Sequence, residues 1–288
     1  MPNFVEPPIE SPASLEQAYG LLRDGDGRPW RPLAGGTDVM VQITGEIGEP
    51  PARLLDIWAI DELRGIHVED GALLIGALTT YTAIRRSDEV AGLVPVLAEA
   101  AATIGAAQIQ NRGTLGGNVV NASPAGDTLP VLLAVDAEFV LGSSDGERTV
   151  PARSFWTGYR QTARHDHELL LRVRIPLLSG REVRFRKVGT RRAQAISKVV
   201  MALSWRVDGD AWTDVRLGLG SIAATPVRAP ATEAALEGQA PTREAADAAA
   251  AALSAEIHPI DDVRSTADYR RAVAGRVLHR LIRDNGGW

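Results

Sequence analysis

The chain has 288 residues, of which 45% are hydrophobic and 23% are charged, and its formal net charge is −5. This length suits about two domains, and the acidic balance lacks the basic surface with which proteins bind nucleic acids or acidic membranes. The absence of cysteine excludes disulfides, thiol nucleophiles and iron–sulfur clusters ligated by this chain. Any redox function must therefore use an organic cofactor or a partner chain.

No segment is typical of a targeting signal or a membrane span. The first residues do not combine a basic stretch with an apolar one, and no run of about 18 uncharged apolar residues occurs. These observations predict a cytoplasmic chain that binds neither nucleic acid nor a membrane.

The first 57 residues are predicted to form a compact unit of short strands and helices. Ser14, followed three residues later by Gln17, is typical of a helix N-terminus, and Gly25-Asp26-Gly27 is expected to end that helix. Short strands are expected over 30–33 and 53–57.

The next part of the chain mixes strands with helices. A strand over 72–78 precedes Thr79, the expected cap of a helix, and apolar residues at helical spacing predict one helix over 89–104. Further strands are expected over 137–141 and 169–175.

Pro176 and Ser179-Gly180 mark the expected start of a second domain. Beyond them, strands are predicted over 183–188, 199–207 and 215–222, and helices over 232–236, 243–257 and 268–282. Three strands followed by helices are typical of an α+β domain in which helices cover a small sheet.

Two glycine clusters are the main functional signal. Gly35-Gly36 directly follow a strand, and Thr37 and Asp38 precede a helix predicted from Val39. Glycines allow the backbone to approach a ligand closely, and successive N–H groups at a helix N-terminus form a concavity that suits a pyrophosphate. The alternative is an ordinary strand-to-helix turn.

The second cluster, residues 113–118, repeats this pattern and is followed by Asp127, whose carboxylate can accept a hydrogen bond from a sugar-like hydroxyl. Two phosphate-type loops and one such acid favour a long diphosphate ligand that spans two subdomains. Neither cluster is a Rossmann or Walker A motif. Residues 218–223 do fit Gly-x-Gly-x-x-Ala, but the prolines that follow predict the end of a strand there.

Together these motifs resemble those of the FAD-binding medium subunits of the molybdenum hydroxylases, the family of xanthine dehydrogenase and carbon monoxide dehydrogenase. The segments that carry the resemblance run in order along the whole chain: 34–38, 114–118, 122–127, 185–198, 220–229 and 268–271.

The resemblance implies an α+β fold with a two-subdomain FAD-binding domain of the vanillyl-alcohol-oxidase-like (PCMH) type over residues 1–175, divided into about 1–57 and 58–175. A C-terminal domain of the carbon monoxide dehydrogenase flavoprotein type, with a three-stranded antiparallel sheet and a helical bundle, is expected over 176–288.

The resemblance also implies the residues that contact FAD. The first turn and Thr114, Gly117 and Asn118 would hold the diphosphate, Asp127 a ribityl or ribose hydroxyl, and Lys187 the isoalloxazine edge, where a basic neighbour would raise the flavin potential. For Lys187, a solvated lysine at a strand end is the alternative. The full set of implied contacts is Leu33, Ala34, Gly35, Gly36, Thr37, Asp38, Val39, Ile104, Gly105, Thr114, Gly116, Gly117, Asn118, Asp127, Leu169, Leu170 and Lys187.

In this family, electrons from a molybdenum subunit pass through two [2Fe–2S] clusters on another chain to FAD, which then reduces NAD⁺, O₂ or a quinone. The resemblance therefore implies a small [2Fe–2S] subunit and a large molybdenum-cofactor subunit as partners in a heterotrimer. It implies no acid–base catalytic residue and no metal ligand in this chain. The lack of cysteine excludes the branch that carries an extra [4Fe–4S] cluster in this subunit.

Two other functions stay open at this point: a stand-alone flavin reductase or oxidase on the same fold, and a nucleotide-binding scaffold subunit without activity. Two weaker motifs are assigned structural roles. His165-Asp166-His167 is expected to be a loop without further clustered metal ligands. The arginines of the last helix are expected to form a solvated face, with a partner-docking surface as the alternative: Arg270, Arg271, Arg276, Arg280 and Arg283.

Overall fold

The computed structural model describes residues 6–23, 28–44, 49–177, 179–191 and 194–288. The predicted helix end at Gly25-Asp26-Gly27 and residues 192 and 193 of the fourth motif lie outside these ranges. The strands are β1 (Ile9–Glu10), β2 (Arg31–Leu33), β3 (Leu54–Asp56), β4 (Ile66–Glu69), β5 (Ala72–Gly76), β6 (Glu138–Ser143), β7 (Gly146–Pro151), β8 (Trp156–Gly158), β9 (Gln161–Thr162), β10 (Leu169–Pro176), β11 (Glu182–Val188), β12 (Val199–Asp208), β13 (Ala211–Gly220) and β14 (Val227–Arg228). The helices are α1 (Leu15–Arg23), α2 (Val39–Ile43), α3 (Tyr81–Arg86), α4 (Asp88–Leu93), α5 (Pro95–Ala102), α6 (Ala107–Arg112), α7 (Leu115–Asn121), α8 (Leu129–Ala134), α9 (Ala152–Phe155), α10 (Pro230–Leu236), α11 (Arg243–Glu256) and α12 (Ala267–Gly286).

The N-terminal unit is a parallel sheet with the strand order β1-β3-β2. Helix α1 begins as predicted, because the Ser14 hydroxyl accepts from the Gln17 N–H at 3.3 Å and the Gln17 side chain accepts from the Ala13 N–H at 2.9 Å. Its apolar face, with Ala18 and Leu22, packs on the sheet. The unit thus presents the β2–α2 turn, which contains the first glycine cluster, to the rest of the chain.

A second sheet has the order β4-β5-β10-β6-β7 and is antiparallel throughout. Its central strand β10 is buried at nearly every apolar position, and helices α3, α4, α5, α7, α8 and α9 add further side chains to this core. The sequence analysis did not include β7 or α8.

Two predicted helix features are wrong in detail. The helix expected over 89–104 is broken between α4 and α5, because Pro95 has no N–H to continue the hydrogen-bond ladder and instead begins a new helix. The cap of α3 is Thr80, whose hydroxyl accepts from the Ala83 N–H at 3.2 Å. Thr79 instead donates to the Gly65 carbonyl.

The C-terminal sheet has the order β11-β12-β13-β14, so a two-residue strand joins the three that were expected. Alternate side chains of β12 face opposite cores, as strand geometry requires. Val200 and Ala202 join the core of the second sheet, whereas Met201 and Leu203 pack under helices α10 to α12. The sheet is therefore buried on both faces and joins the two halves of the chain.

One arginine of the last helix does not lie on a solvated face. Arg270 is only 4% exposed and donates to the backbone carbonyls of Lys198 and Ser221 and to Asp262. The expectation for this residue is wrong because Arg270 lies near the start of α12, where the helix crosses the end of the sheet. None of the helices in the described ranges is long and apolar enough to cross a bilayer.

Candidate functional site

A cleft of about 310 Å³ lies where the β2–α2 turn meets α3, α6, α7 and the start of β10. Most of the sequence-predicted residues line it, namely Ala34, Gly35, Gly36, Thr37, Asp38, Val39, Ile104, Thr114, Gly116, Gly117, Asn118, Leu169 and Leu170. Leu33, Gly105, Asp127 and Lys187 do not line it. Among the lining residues that the sequence analysis missed are Arg31, Tyr81, Asn121 and Arg164.

The β2–α2 turn presents a run of backbone donors. Gly36 has a φ of 78°, in the left-handed region that favours glycine. A Cβ at Gly35 would overlap the carbonyl oxygen of Arg112, so the turn sits directly against the end of α6. No acceptor in the described part of the chain bonds the N–H groups of residues 35–39. Such a series of free N–H groups before a helix can bind an anion.

The second glycine cluster works differently from the expectation of a phosphate loop. Gly116 and Gly117 lie in the first turn of α7, and their N–H groups are already bonded, to the Ala77 carbonyl at 2.9 Å and to the Thr114 hydroxyl at 3.0 Å. A Cβ at Gly116 would lie 2.6 Å from the Ala77 carbonyl oxygen. The glycines therefore allow α7 to pack on the end of β5, and they place the Thr114 side chain in the cleft.

Asn118, one turn further along α7, is oriented by a neighbouring hydroxyl. Its Oδ1 accepts from Thr128 at 2.6 Å, which leaves the Nδ2 group of this cleft-lining residue as its donor. What this cluster offers a ligand is thus side-chain donors rather than backbone N–H groups.

Two partly buried arginines, Arg31 and Arg164, give the cleft a positive wall. Burial lowers the pKa of Arg31, and the Asp38 carboxylate partly offsets that effect. No residue in the described ranges forms a hydrogen bond or ion pair with the Arg31 guanidinium. Burial also lowers the pKa of Arg164. Because Arg31 lines the cleft and its guanidinium has no partner among the described residues, it is well placed to bind an anionic ligand.

Asp38 is held by a polar chain rather than by Arg31. Its Oδ1 accepts from the Asn121 amide at 2.8 Å, and the Asn121 Oδ1 accepts from Arg160 at 2.9 Å. Arg160 belongs to the β8–β9 hairpin, so this chain ties the hairpin to the first glycine turn.

Asp127 and Lys187 form a buried ion pair beside the cleft. The Lys187 ammonium lies 2.6 Å from Asp127 Oδ2 and also donates to the Thr103 carbonyl at 3.0 Å, next to the lining residue Ile104. The Lys187 side chain is 11% exposed, so the alternative of a solvated lysine is wrong. Burial raises the pKa of Asp127 to about 6, against the lowering effect of Lys187. The second oxygen, Oδ1, is buried and has no partner in the described structure.

The segment around His165 contains more potential ligands than the sequence analysis expected. The side chains of His165, His167 and Glu168 lie close enough together to share an ion. Both oxygens of Glu168, however, accept from Arg148, at 2.5 and 2.7 Å. The segment is therefore held as an ion-paired turn near the rim of the cleft.

Comparison with known proteins identifies this arrangement. Residues 5–178 match the family described as the FAD binding domain in molybdopterin dehydrogenase, and residues 184–284 match the CO dehydrogenase flavoprotein C-terminal domain. The chain belongs to the FAD-binding medium subunits of the molybdenum hydroxylases. The resemblance of the motifs is thus confirmed, together with the α+β fold class.

Individual relatives match over nearly the whole chain. The carbon monoxide dehydrogenase medium chain of Hydrogenophaga pseudoflava is 34% identical over 279 residues, which is 96% of each chain. The xanthine dehydrogenase FAD-binding subunit of Escherichia coli O157:H7 is 29% identical over 282 residues, again 96% of each. A solved structure of carbon monoxide dehydrogenase from H. pseudoflava matches with a TM-score of 0.91 at 35% identity and covers 96% of each chain.

The residues present fit the cofactor of this family. FAD carries a diphosphate, which needs donors and positive charge, and hydroxyls along its ribityl chain and ribose, which need acceptors. The N–H groups of residues 35–39 and Arg31, which have no partners among the described residues, supply the donors and positive charge for the diphosphate. The Oδ1 atom of Asp127, which also has no partner there, supplies an acceptor for a hydroxyl. The cleft and the buried pair beside it therefore offer groups that suit the diphosphate and a hydroxyl of such a ligand.

Proposed function

We propose that the chain binds FAD in this cleft, with the diphosphate on the N–H groups of residues 35–39 and the Arg31 guanidinium beside it. The run of N–H groups at residues 35–39, next to an arginine that has no partner among the described residues, supports this assignment. A diphosphate would accept hydrogen bonds from these N–H groups and pair with the Arg31 guanidinium at the same time. Such charge-assisted hydrogen bonds are about twice as strong as neutral ones. Thr114 and Asn118 add donors from the opposite wall.

The flavin end lies toward the buried pair. Lys187 and Asp127 sit next to Ile104, at the edge of the cleft that faces the C-terminal sheet. Asp127 Oδ1 accepts from a ribityl or ribose hydroxyl, and Lys187 places a positive charge at the isoalloxazine edge. Leu169 and Leu170 give the cleft an apolar wall for a ring system. Leu33 and Gly105 act by shaping the backbone at the two ends of the cleft.

Bound FAD supplies reversible one- and two-electron redox chemistry. The role of this chain is to bind, orient and electrostatically tune the cofactor, and we assign no acid–base residue. In the complex that we propose, [2Fe–2S] clusters on a small partner subunit would supply the bound FAD with electrons from a large molybdenum-cofactor subunit, and NAD⁺, O₂ or a quinone would accept them. The absence of cysteine from this chain is consistent with a relay located on other polypeptides.

Absorption spectroscopy tests the cofactor assignment directly. The purified full-length chain, reconstituted with FAD and desalted, should retain absorption bands at about 370 and 450 nm, the flavin signature. Arg31→Gln should weaken FAD retention, whereas Arg86→Gln, which removes an exposed arginine outside the cleft, should not. A chain that never retains FAD would instead be a nucleotide-binding scaffold.

The electron path needs the assembled complex. Co-purification with iron–sulfur and molybdenum-containing chains, followed by bleaching of the flavin band on addition of a reducing substrate, would support the relay. A chain that purifies alone, keeps FAD and turns over a substrate would be a stand-alone flavoenzyme.

A further inference from the structure

Arg270 joins three separate segments behind the Asp127–Lys187 pair. Its Nη1 donates to the carbonyl oxygens of Lys198 at 3.0 Å and Ser221 at 2.8 Å, and its Nη2 lies 2.7 Å from Asp262. The guanidinium is thus a buried cross-link between the start of α12, the end of the β11–β12 connection and the residues that follow β13.

From Ser221 the contacts continue into the FAD-binding half. Ser221 has a φ of 65°, a conformation that is uncommon for a residue other than glycine, and its N–H donates to the Pro124 carbonyl at 2.8 Å. Its hydroxyl lies 2.9 Å from that of Ser197, which donates to the Ala125 carbonyl at 3.1 Å. Two residues after Ala125 comes Asp127. A chain of hydrogen bonds therefore leads from Arg270 to the segment that carries this acid.

A second branch leads to Lys187. The Lys198 N–H donates to the Val188 carbonyl at 2.7 Å and so closes the base of the β11–β12 connection, directly beside Lys187. Arg270 donates to the carbonyl of the same Lys198, so it stabilises this end of the β11–β12 connection. The segments that carry Asp127 and Lys187 are thus each linked to the Arg270 guanidinium, through different hydrogen bonds.

We propose that Arg270 is a positioning residue for the flavin edge, acting through Ser221 and Ser197 on the segment of Asp127 and through Lys198 on the strand of Lys187. The proposal rests on the proposed function, since it takes Asp127 and Lys187 as groups that contact FAD. The strained φ of Ser221 favours this role, because a conformation of that kind persists only where the surroundings hold it.

The chain offers a matched control for a purely structural role. Arg181 is also a buried arginine of the C-terminal half; it donates to the Ser204 hydroxyl at 2.8 Å and pairs with Asp214. Ser204 in turn donates to the Ala134 carbonyl at 2.6 Å. This second bridge also joins the C-terminal sheet to the FAD-binding half, but at the far end of α8, away from Asp127.

The first experiment uses the full-length chain without FAD. Amide hydrogen exchange is measured at Ser221, whose N–H is bonded to Pro124, in Arg270→Lys and Ser197→Ala, with Arg181→Lys and Ser204→Ala as controls. We expect exchange at Ser221 to accelerate about tenfold in Arg270→Lys, the ratio that corresponds to loss of one hydrogen bond to a charged group. It should accelerate by a smaller factor in Ser197→Ala, which removes neutral hydrogen bonds, and stay unchanged in the controls.

The second experiment uses the same variants with FAD. The Kd for FAD should rise about tenfold in Arg270→Lys and Ser197→Ala, and the position of the longest-wavelength flavin band should shift, while Arg181→Lys and Ser204→Ala match the wild type. If Arg270→Lys does not fold, Ser197→Ala decides the outcome, since it removes a single hydroxyl.

The results separate this proposal from the proposed function. If the wild type binds FAD and all four variants share its Kd and spectrum, Arg270 has only a structural role and the inference is wrong. If the wild type itself binds no FAD, the proposed function is wrong, and the inference about Arg270 is wrong as well. Equal losses in the Arg270 and Arg181 bridges would also refute a specific positioning role.

Discussion

The ionisation of Asp127 makes the stability of the FAD-free chain depend on pH in an unusual direction. Burial raises the pKa of Asp127 from the usual 3.8 to about 6, so between these values the folded chain holds a proton that the unfolded chain has released. The stabilising contribution is complete below pH 3.8 and is lost as the pH rises through about 6. A shift of about two units corresponds to about 3 kcal/mol.

Asp127→Asn removes this titration. Urea denaturation of the FAD-free chain between about pH 4.5 and 7.5 should show the free energy of unfolding of the wild type falling by about 2–3 kcal/mol relative to the variant. Only the slope with pH is compared, because the variant also leaves the Lys187 ammonium without its partner. Asp145→Asn, which changes an exposed carboxylate at a hairpin turn, should retain the wild-type slope. Parallel curves for wild type and Asp127→Asn would refute the assignment.

FAD binding should lower the pKa of Asp127, in the opposite direction to the effect of burial. A hydroxyl that donates to Asp127 Oδ1 favours the charged carboxylate, so FAD binding near pH 6 should release a fraction of a proton. Calorimetry in two buffers of different ionisation enthalpy measures that release. It should vanish in Asp127→Asn, and its persistence there would assign the proton to another group.

Three further substitutions test the cleft. Gly35→Ala should abolish FAD retention because its Cβ overlaps the Arg112 carbonyl; Gly286→Ala, whose Cβ overlaps the Pro241 carbonyl outside the cleft, should lower the melting temperature but leave FAD in the folded fraction. Arg31→Gln should raise the Kd for FAD about tenfold or more, the equivalent of about 1.5–3 kcal/mol, and equal affinity in fluorescence titrations would exclude it as a diphosphate ligand. Lys187→Ala should lower the flavin midpoint potential by about 30 mV, the two-electron equivalent of about 1.4 kcal/mol; an unchanged potential in spectroelectrochemistry would contradict the electrostatic role.

Motifs that act through local backbone geometry could be predicted from the sequence. The strand, two glycines and helix around Gly35 appear as expected, because the requirement for a left-handed φ and for close approach is local and leaves a signature in residue type. The same holds for the start of α1 at Ser14. Individual helix ends were less predictable, since Thr79 and Thr80 are chemically equivalent and only the pairing of β4 with β5 decides which of them caps α3.

Contacts between distant segments could not be predicted in this way. The free N–H groups of the second glycine cluster were expected by analogy with the first, but the packing of α7 on the end of β5 satisfies them, and this depends on Ala77 and Thr79. Likewise, Arg31 has no signature as a ligand group until the fold buries it. The position of Arg270 depends on where α12 crosses the sheet, which hydrophobic periodicity alone does not specify.

The attachment of the C-terminal half organises the Asp127–Lys187 pair, which we propose lies at the isoalloxazine edge, before any cofactor binds. Helix α8 is buried at every position, and β12 and β13 pack on it so closely that a Cβ at Gly218 would overlap the Pro130 carbonyl. Such an interface leaves little freedom for the sheet to move relative to the FAD-binding half. The strand that carries Lys187 is therefore held against Asp127 in the FAD-free chain, and binding does not have to order this pair. Since preorganisation reduces the entropic cost of binding, a C-terminal domain without catalytic groups of its own can still contribute to the affinity for FAD.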